Sequence, residues 1–477
     1  MSLTTRDEVY LDGSWVTPAG SERAAVIEAA TEQQLGTVAM ASVEDVDRAV
    51  ASARRALSGP WAALAPAERA ELVGAFAREL RARAAQTAEL VSRENGMPIA
   101  LSQIVNGMAP YAITRLYAHL AGGLGGRDER PSPTGGRTLV VREPVGVVAA
   151  VTPWNYPQAL AIMKIAPALA AGCSVVFKPP PETALDALLI ADAAEAAGLP
   201  PGVLNVLPGG REVGAHLVAH PGVDKVAFTG STLAGKAIGE VAGRLLRPAS
   251  LELGGKSVSF LLPDADLALF AGKLAEISLP NNGQTCHAAT RILAPRSRYA
   301  EVVEAVTETV AALRVGDPLD PGTQIGPLVS RMQQEKVLGY VDKGRGEGAR
   351  LTTGGARPER PGWFVEPTVF AEVDNDMAIA REEIFGPVLC VIPYGDVEEG
   401  IAIANDSDFG LGGVVWTADE ERGVEVAQRV ETGTIGVNHY ELHINAPFGG
   451  VKESGLGREL GPEGLEPYLR HRSIYLS

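Results

Sequence analysis

Cysteine is scarce in this chain: Cys173, Cys286 and Cys390 are the three thiols among 477 residues. Three cysteines build no disulfide framework, so a reducing compartment such as the cytoplasm is expected. Basic charge is also short. Lysine and arginine number 42 against 58 aspartates and glutamates, a net charge of −16. Nucleic acid and anionic membrane both need a basic face and are disfavoured as partners. No apolar run reaches the ~18 residues that suggest a spanning helix. The start, Met1-Ser2-Leu3-Thr4-Thr5-Arg6-Asp7, lacks the basic head and apolar stretch of a secretory signal. There is no internal repeat and no long low-complexity tract.

What is present is the composition of a soluble globular protein, 46% hydrophobic and 21% charged. The length exceeds one ordinary core, so two or three domains are expected. Residues 42–57 read as a helix capped by Ser42, with Asp45 in the capping-box position and Val43, Val46, Val50, Ala53 and Leu57 on one face. Residues 66–95 read as one long helical region, Pro66 at its start and Gly96 just past its end. From about residue 138 short β-rich runs alternate with helices. Strands are expected at 145–151, 174–177, 203–206 and 226–228, with helices at 160–171 and 184–197. A second set of strands follows at 257–262, 291–294, 388–393, 412–417 and 433–438. This alternation implies an α/β fold of two parallel sheets covered by helices. The best boundary lies near residues 251–253, and a ligand cleft is expected where the two units meet.

The chemistry gathers near that boundary. Cys286 lies in Asn281-Asn282-Gly283-Gln284-Thr285-Cys286, a polar turn poorly suited to core packing. A thiol is the strongest common side-chain nucleophile near neutral pH when its surroundings stabilise the thiolate. Cys173 and Cys390 sit in or beside apolar runs and read as plain core. Glu252, in Leu251-Glu252-Leu253-Gly254-Gly255, is flanked by leucines that suggest burial and glycines that permit close backbone approach. A buried carboxylate has its pKa raised toward neutrality, which suits a general base. Asn155, between Trp154 and Pro157, is open between turn chemistry and a polar role. Gly230-Ser231-Thr232 opens a helix after a strand, a setting that suits a pyrophosphate.

These strings, together with Thr152-Pro153-Trp154-Asn155-Tyr156-Pro157, Phe228-Thr229-Gly230-Ser231-Thr232 and Pro447-Phe448-Gly449-Gly450, resemble the aldehyde dehydrogenase superfamily from residue 10 almost to the end. The resemblance implies oxidation of an aldehyde to a carboxylic acid through a cysteine thiohemiacetal and thioester. Cys286 would be the nucleophile, Glu252 the base, Asn155 with the Cys286 N–H the oxyanion donors, and Lys164 part of a proton path. It implies NAD as cofactor, held by Trp154, Lys178, Gly230, Ser231, Glu383 and Phe385, and no metal. Many NAD-preferring relatives carry a glutamate three residues after the lysine; here Pro181 stands there and Glu182 follows, so NADP stays possible. Tyr156, Met163, Tyr440, Leu442 and Phe448, with His443 nearby, would line an aldehyde tunnel for an uncharged, hydrophobic substrate. Residues 1–121 and 143–251 would form a Rossmann-like dinucleotide-binding domain and 252–454 the catalytic domain. Residues 122–142 and 455–477 would be a small β oligomerisation extension of a homodimer or homotetramer. The alternatives are a coenzyme A-acylating semialdehyde dehydrogenase, disfavoured by Glu252, and a non-catalytic structural or binding protein of the same fold.

Overall fold

The computed structural model describes residues 4–125, 128–133 and 135–477. The start of the N-terminal segment, residues 1–3, and residues 126, 127 and 134 of the expected oligomerisation segment lie outside the described residues.

Two sheets organise the chain. The first has eight strands. Ala249–Glu252, Lys225–Thr229, Val147–Val151, Ser174–Lys178 and Leu204–Val206 run parallel at its centre. Val9–Leu11 and Ser14–Val16 extend one edge antiparallel, and Gly455–Leu456 pairs with Ala249–Glu252 at the other. Val147–Val151 and Ser174–Lys178 are buried on both faces, which is why they read as unbroken apolar runs. The second sheet has seven strands in the order Arg350–Thr353, Thr368–Ala371, Val388–Tyr394, Arg291–Pro295, Val258–Leu261, Gly413–Trp416 and Gly436–Val437. Only its first strand is antiparallel. Residues 433–438 thus shrink to a two-residue strand.

Smaller sheets complete the chain. Thr4–Arg6, Gln34–Ala39 and Arg23–Ile27 form one. Leu469–Leu476, Arg137–Pro144 and Asp128–Pro131 form an antiparallel sheet with Leu469–Leu476 at its edge. A short ladder pairs Phe409–Gly410 with Val451–Lys452.

The helix Val43–Ala56 has the expected capping box between Ser42 and Asp45, although Val43 itself is exposed. The long helical region expected over 66–95 is two helices, Pro66–Ala82 and Ala84–Asn95, joined at Arg83. Its side chain donates to the Glu79 carbonyl at 2.9 Å and pairs with the Glu79 carboxylate at 2.6 Å. That side-chain bond takes a carbonyl the helical ladder would otherwise use. Gly96 ends the second helix at φ 84°, a left-handed position glycine adopts without steric cost. Among the described residues no helix is long and apolar enough to cross a membrane.

Candidate active site

The thiol sits on a strained turn. Asn281, Asn282 and Gly283 all have positive φ, at 50°, 62° and 78°, which asparagine and glycine tolerate best. Their side chains fix the turn from outside. Asn281 Nδ2 donates to the Asn155 carbonyl at 2.9 Å, and Asn282 Nδ2 donates to the carbonyls of Gly96 and Pro327 at 2.9 and 2.8 Å. A methyl group added at Gly283 would lie 2.1 Å from the Gly386 carbonyl oxygen. The turn therefore packs backbone to backbone against the segment carrying Glu383 and Phe385.

Cys286 emerges from this turn half-buried, whereas Cys173 and Cys390 are wholly buried in the core. No acceptor among the described residues takes the Cys286 backbone N–H. Asn155 Nδ2 donates one hydrogen to the Gln284 carbonyl at 3.1 Å; a primary amide has a second to give. Thr285 donates to the Pro280 carbonyl at 2.8 Å, so its single hydrogen is spent and the Tyr156 hydroxyl must donate to it at 2.7 Å.

Glu252 ends its strand fully buried, and neither carboxylate oxygen has a hydrogen-bond partner of good geometry. It is nevertheless close enough to the Cys286 thiol for each to perturb the other. Burial pushes Glu252 well up, the Glu459 charge adds to the rise, and Lys164 opposes it. Burial likewise pushes Cys286 well up, reinforced by the Glu252 and Glu383 charges. The pair thus disfavours two negative charges at once. Glycines make this closeness possible: a methyl group at Gly255 would lie 2.2 Å from the Cys286 carbonyl oxygen, and one at Gly254 would lie 2.8 Å from Glu383 Oε2.

Behind Glu252, Lys164 Nζ donates to Thr229 Oγ1 at 2.5 Å and to Glu459 Oε1 at 2.7 Å, wholly out of solvent. Glu459 was not foreseen from the sequence. It also exchanges two 2.7 Å backbone hydrogen bonds with Phe448. His287 is a second unforeseen neighbour, its Nδ1 3.9 Å from Cys286 Sγ. Burial lowers its pKa to about 4, which keeps the ring neutral. The ring packs on Tyr440 and Phe448, with centroids 5.4 and 6.0 Å away.

A cavity of about 350 Å³ opens beside these rings, lined by Tyr440, Leu442, His443 and Phe448 among others. Tyr156 and Met163 do not line it. Met163 is buried with Phe448 in the same apolar cluster that Tyr156, Leu442 and Cys286 pack against.

The remaining predicted residues lie at strand ends. Lys178 Nζ donates to the carbonyls of Pro179 and Gly209 at 2.9 and 2.8 Å, leaving one of three N–H bonds free. Burial lowers its pKa to about 8, countered by Glu182. Ser231 caps the helix Thr232–Arg244, its hydroxyl accepting from the Ala234 N–H at 3.3 Å. The N–H groups of Thr232 and Leu233 have no acceptor within the helix. Gly230 precedes the cap, and a methyl group there would lie 2.5 Å from the Phe228 ring. Glu383 Oε1 accepts the Gly255 N–H at 3.0 Å. Trp154 meets Phe385 edge to face at 5.4 Å between centroids. No hydrogen bond or ion pair joins Lys178 or Ser231 to the thiol–carboxylate group among the described residues.

A thiol, a facing carboxylate and two free N–H donors beside an aromatic-lined cavity suit acyl chemistry. Residues 15–474 match the aldehyde dehydrogenase family. The chain belongs to that family. This aldehyde dehydrogenase is 52% identical over 470 residues to the geranial dehydrogenase of Castellaniella defragrans, with 98% of each chain covered. Its fold is similar to that of a Mycobacterium tuberculosis aldehyde dehydrogenase complexed with NAD+, at TM-score 0.97 and 46% identity over 100% and 99% of the two chains. It is also similar to a mutant aldehyde dehydrogenase C of Pseudomonas syringae complexed with NAD+ and octanal, at TM-score 0.94 and 40% identity over 98% and 96%.

Proposed function

We propose that this aldehyde dehydrogenase oxidises an uncharged, apolar aldehyde to its acid with NAD, using Cys286 as nucleophile and Glu252 as base. The observation that carries the reading is the pairing of a half-buried thiol with a buried carboxylate that has no other partner. Because two adjacent negative charges are disfavoured, the thiol proton passes to Glu252 as Cys286 Sγ bonds to the carbonyl carbon. One negative charge is kept throughout. The new oxyanion accepts from the Cys286 N–H and from the second hydrogen of Asn155 Nδ2. When bound, NAD accepts the hydride that leaves this carbon. Once Glu252 has released the thiol proton to solvent, the restored carboxylate takes a proton from water and the hydroxide attacks the thioester carbon. The C–S bond then breaks to release the acid as the departing Cys286 sulfur recovers a proton from Glu252. The Lys164 ammonium favours the ionised base, and Glu459 holds that ammonium in place.

Fit to the cofactor rests on groups with capacity to spare. The free helix N–H groups after Gly230 and Ser231 suit a pyrophosphate. The third N–H of Lys178 and the second oxygen of Glu383 suit ribose hydroxyls, and Trp154 with Phe385 forms an aromatic corner. For the substrate, Tyr440, Leu442 and Phe448 wall the cavity, with Tyr156 and Met163 packed behind. The names geranial dehydrogenase and octanal belong to relatives, and both substrates are apolar aldehydes. We assign residues 1–121 and 143–251 to cofactor binding and 252–454 to catalysis. Residues 122–142 and 455–477 form an oligomerisation extension, supported by the edge strand Leu469–Leu476, in a cytoplasmic homodimer or homotetramer.

The test is a screen of saturated, unsaturated and charged aldehydes with NAD and NADP, following reduced-cofactor absorbance. Apolar aldehydes should give the highest kcat/KM. A preference for charged aldehydes would overturn the substrate reading.

A further inference from the structure

Two carboxyls that the chemistry above does not use lie together in the core. Glu94, next to the end of the helix Ala84–Asn95, and Asp186, in the first turn of the helix Ala184–Ala196, are both fully buried. The Glu94 oxygens accept the backbone N–H groups of Leu185 and Asp186 at 2.9 and 3.1 Å. Gln158 Nε2 donates to the Asp186 carbonyl at 2.7 Å and to Asp186 Oδ2 at 2.8 Å. Asp186 Oδ1 is buried with no donor of good geometry, and the Thr183 hydroxyl beside this carboxyl is likewise unpartnered. Yet the two carboxyls reach each other.

Among the described residues no cation pairs with either carboxyl. On the helices packed around the pair, Arg93 is spent on Glu28 at 2.6 Å, Arg83 on Glu79 at 2.6 Å and Lys164 on Glu459 at 2.7 Å. Arg6 pairs with Asp192 at 3.0 Å, on the far part of the Asp186 helix. Burial pushes both carboxyls up, and the Asp186 charge adds to the rise at Glu94. Two oxygens in contact without a donor repel, whereas one proton between them makes a hydrogen bond. Such a hydrogen bond satisfies Asp186 Oδ1, the oxygen otherwise lacking a donor.

The pair also stands at both ends of one turn. Asn95, adjacent to Glu94, donates to the carbonyls of Trp154 and Asn155 at 2.8 and 3.3 Å. Gln158, held by Asp186, opens the helix Pro157–Ala171 that carries Lys164. We propose that Glu94 and Asp186 share one proton, held between Glu94 and Asp186 Oδ1, and that this pair positions the turn 154–158 and hence Asn155. The proposal rests on the reading of Asn155 as oxyanion donor. Removing the proton sets two unscreened charges against each other and loosens both anchors, so this pair lowers kcat at alkaline pH without adding to any change in cofactor binding.

Asp186→Asn tests it, because the amide donates to Glu94 and accepts from Gln158 without titrating. The ratio of variant to parent kcat should rise at least about threefold from neutral to alkaline pH, as like-charge repulsion grows in the parent alone. The ratio of KM for NAD should stay flat. A flat kcat ratio overturns the proposal. If Asp186→Asn does not fold, infrared spectra of Glu252→Gln decide, since that variant lacks the buried acid beside Cys286. A carboxylic-acid carbonyl band near neutral pH is expected, and its absence overturns the shared proton. A full-rate Asn155→Ala would overturn the positioning half together with the oxyanion reading, leaving the infrared band to judge the proton alone.

Discussion

The two large sheets are alike in build and opposite in use. In the first, the proposed site residues follow strand C-termini. Val147–Val151 leads to Trp154 and Asn155, Ser174–Lys178 ends on Lys178, Lys225–Thr229 leads to Gly230 and Ser231, and Ala249–Glu252 ends on Glu252. In the second, the cavity residues Tyr440 and Leu442 follow the short strand Gly436–Val437, but the residues around the thiol precede strand N-termini. Gly254 and Gly255 come before Val258–Leu261, Cys286 and His287 before Arg291–Pro295, and Glu383 and Phe385 before Val388–Tyr394. C-terminal edges of parallel sheets are the usual ligand side, and the first sheet conforms. The second offers loops from its other edge, which the sheet alone does not hold in place. The asparagine bonds of the Cys286 turn and the glycine contacts at Gly255 and Gly283 supply that hold. Binding is thus built largely on a sheet, and the nucleophile on a loop fastened to it.

The sharpest way to break this contrast is Cys286→Ala. It should lower kcat by at least ~10⁴-fold, as loss of a nucleophile does elsewhere, while calorimetric NAD affinity stays near the parent's. Near-normal turnover would remove the nucleophile from the second sheet. At the seam, Gly255→Ala places a methyl group against the Cys286 carbonyl. Strain of that kind costs about 1–3 kcal/mol, so kcat should fall about 5- to 150-fold, with a smaller change in KM for NAD. An unaltered kcat would show that the thiol turn is not held by this contact.

On the first sheet, Pro181→Glu should leave kcat with NAD intact and turn the enzyme against NADP. A charge clash in a partly desolvated groove should shift the NAD/NADP ratio of kcat/KM about ten- to a hundredfold. A parent already rejecting NADP a thousandfold would show that another feature selects the cofactor. The smallest effect concerns Lys178, whose pKa burial lowers to about 8. The charged form is costly below that pH, so the fold gains stability as pH rises from about 8 toward the unfolded value. The free donor is lost over the same window, and the Kd for NAD should rise a fewfold in fluorescence titrations. A Kd flat across that window would place the ribose elsewhere.

Parts of this were legible in the chain and parts were not, for physical reasons. Strands buried on both faces announce themselves as apolar runs, and Val147–Val151 and Val388–Tyr394 lie within a residue or two of where the runs put them. Cys286 stood out because a thiol among asparagine, glycine and glutamine has no packing reason to be there. Glu459 could not be read, because its partner Lys164 is 295 positions away and nothing local marks the pair. The Glu94–Asp186 contact is hidden for the same reason. The break at Arg83 turns on one side chain competing for a carbonyl, which periodicity does not register. His287 was in plain view beside Cys286, but its packing on Tyr440 and Phe448 exists only once residues far along the chain fold back.

Whether a thiol from one sheet is served by a base from the other can be read from rapid mixing of Glu252→Gln with excess aldehyde and NAD. Acylation needs the thiol, which in Glu252→Gln is freed of the Glu252 charge that raises its pKa and can lose its proton to water, whereas hydrolysis needs the carboxylate. A burst of about one reduced cofactor per active site is expected, followed by a steady rate lowered roughly 10²- to 10⁴-fold, the usual worth of a general base. Steady turnover at the parent rate with no burst would contradict it, and another residue would then be the base.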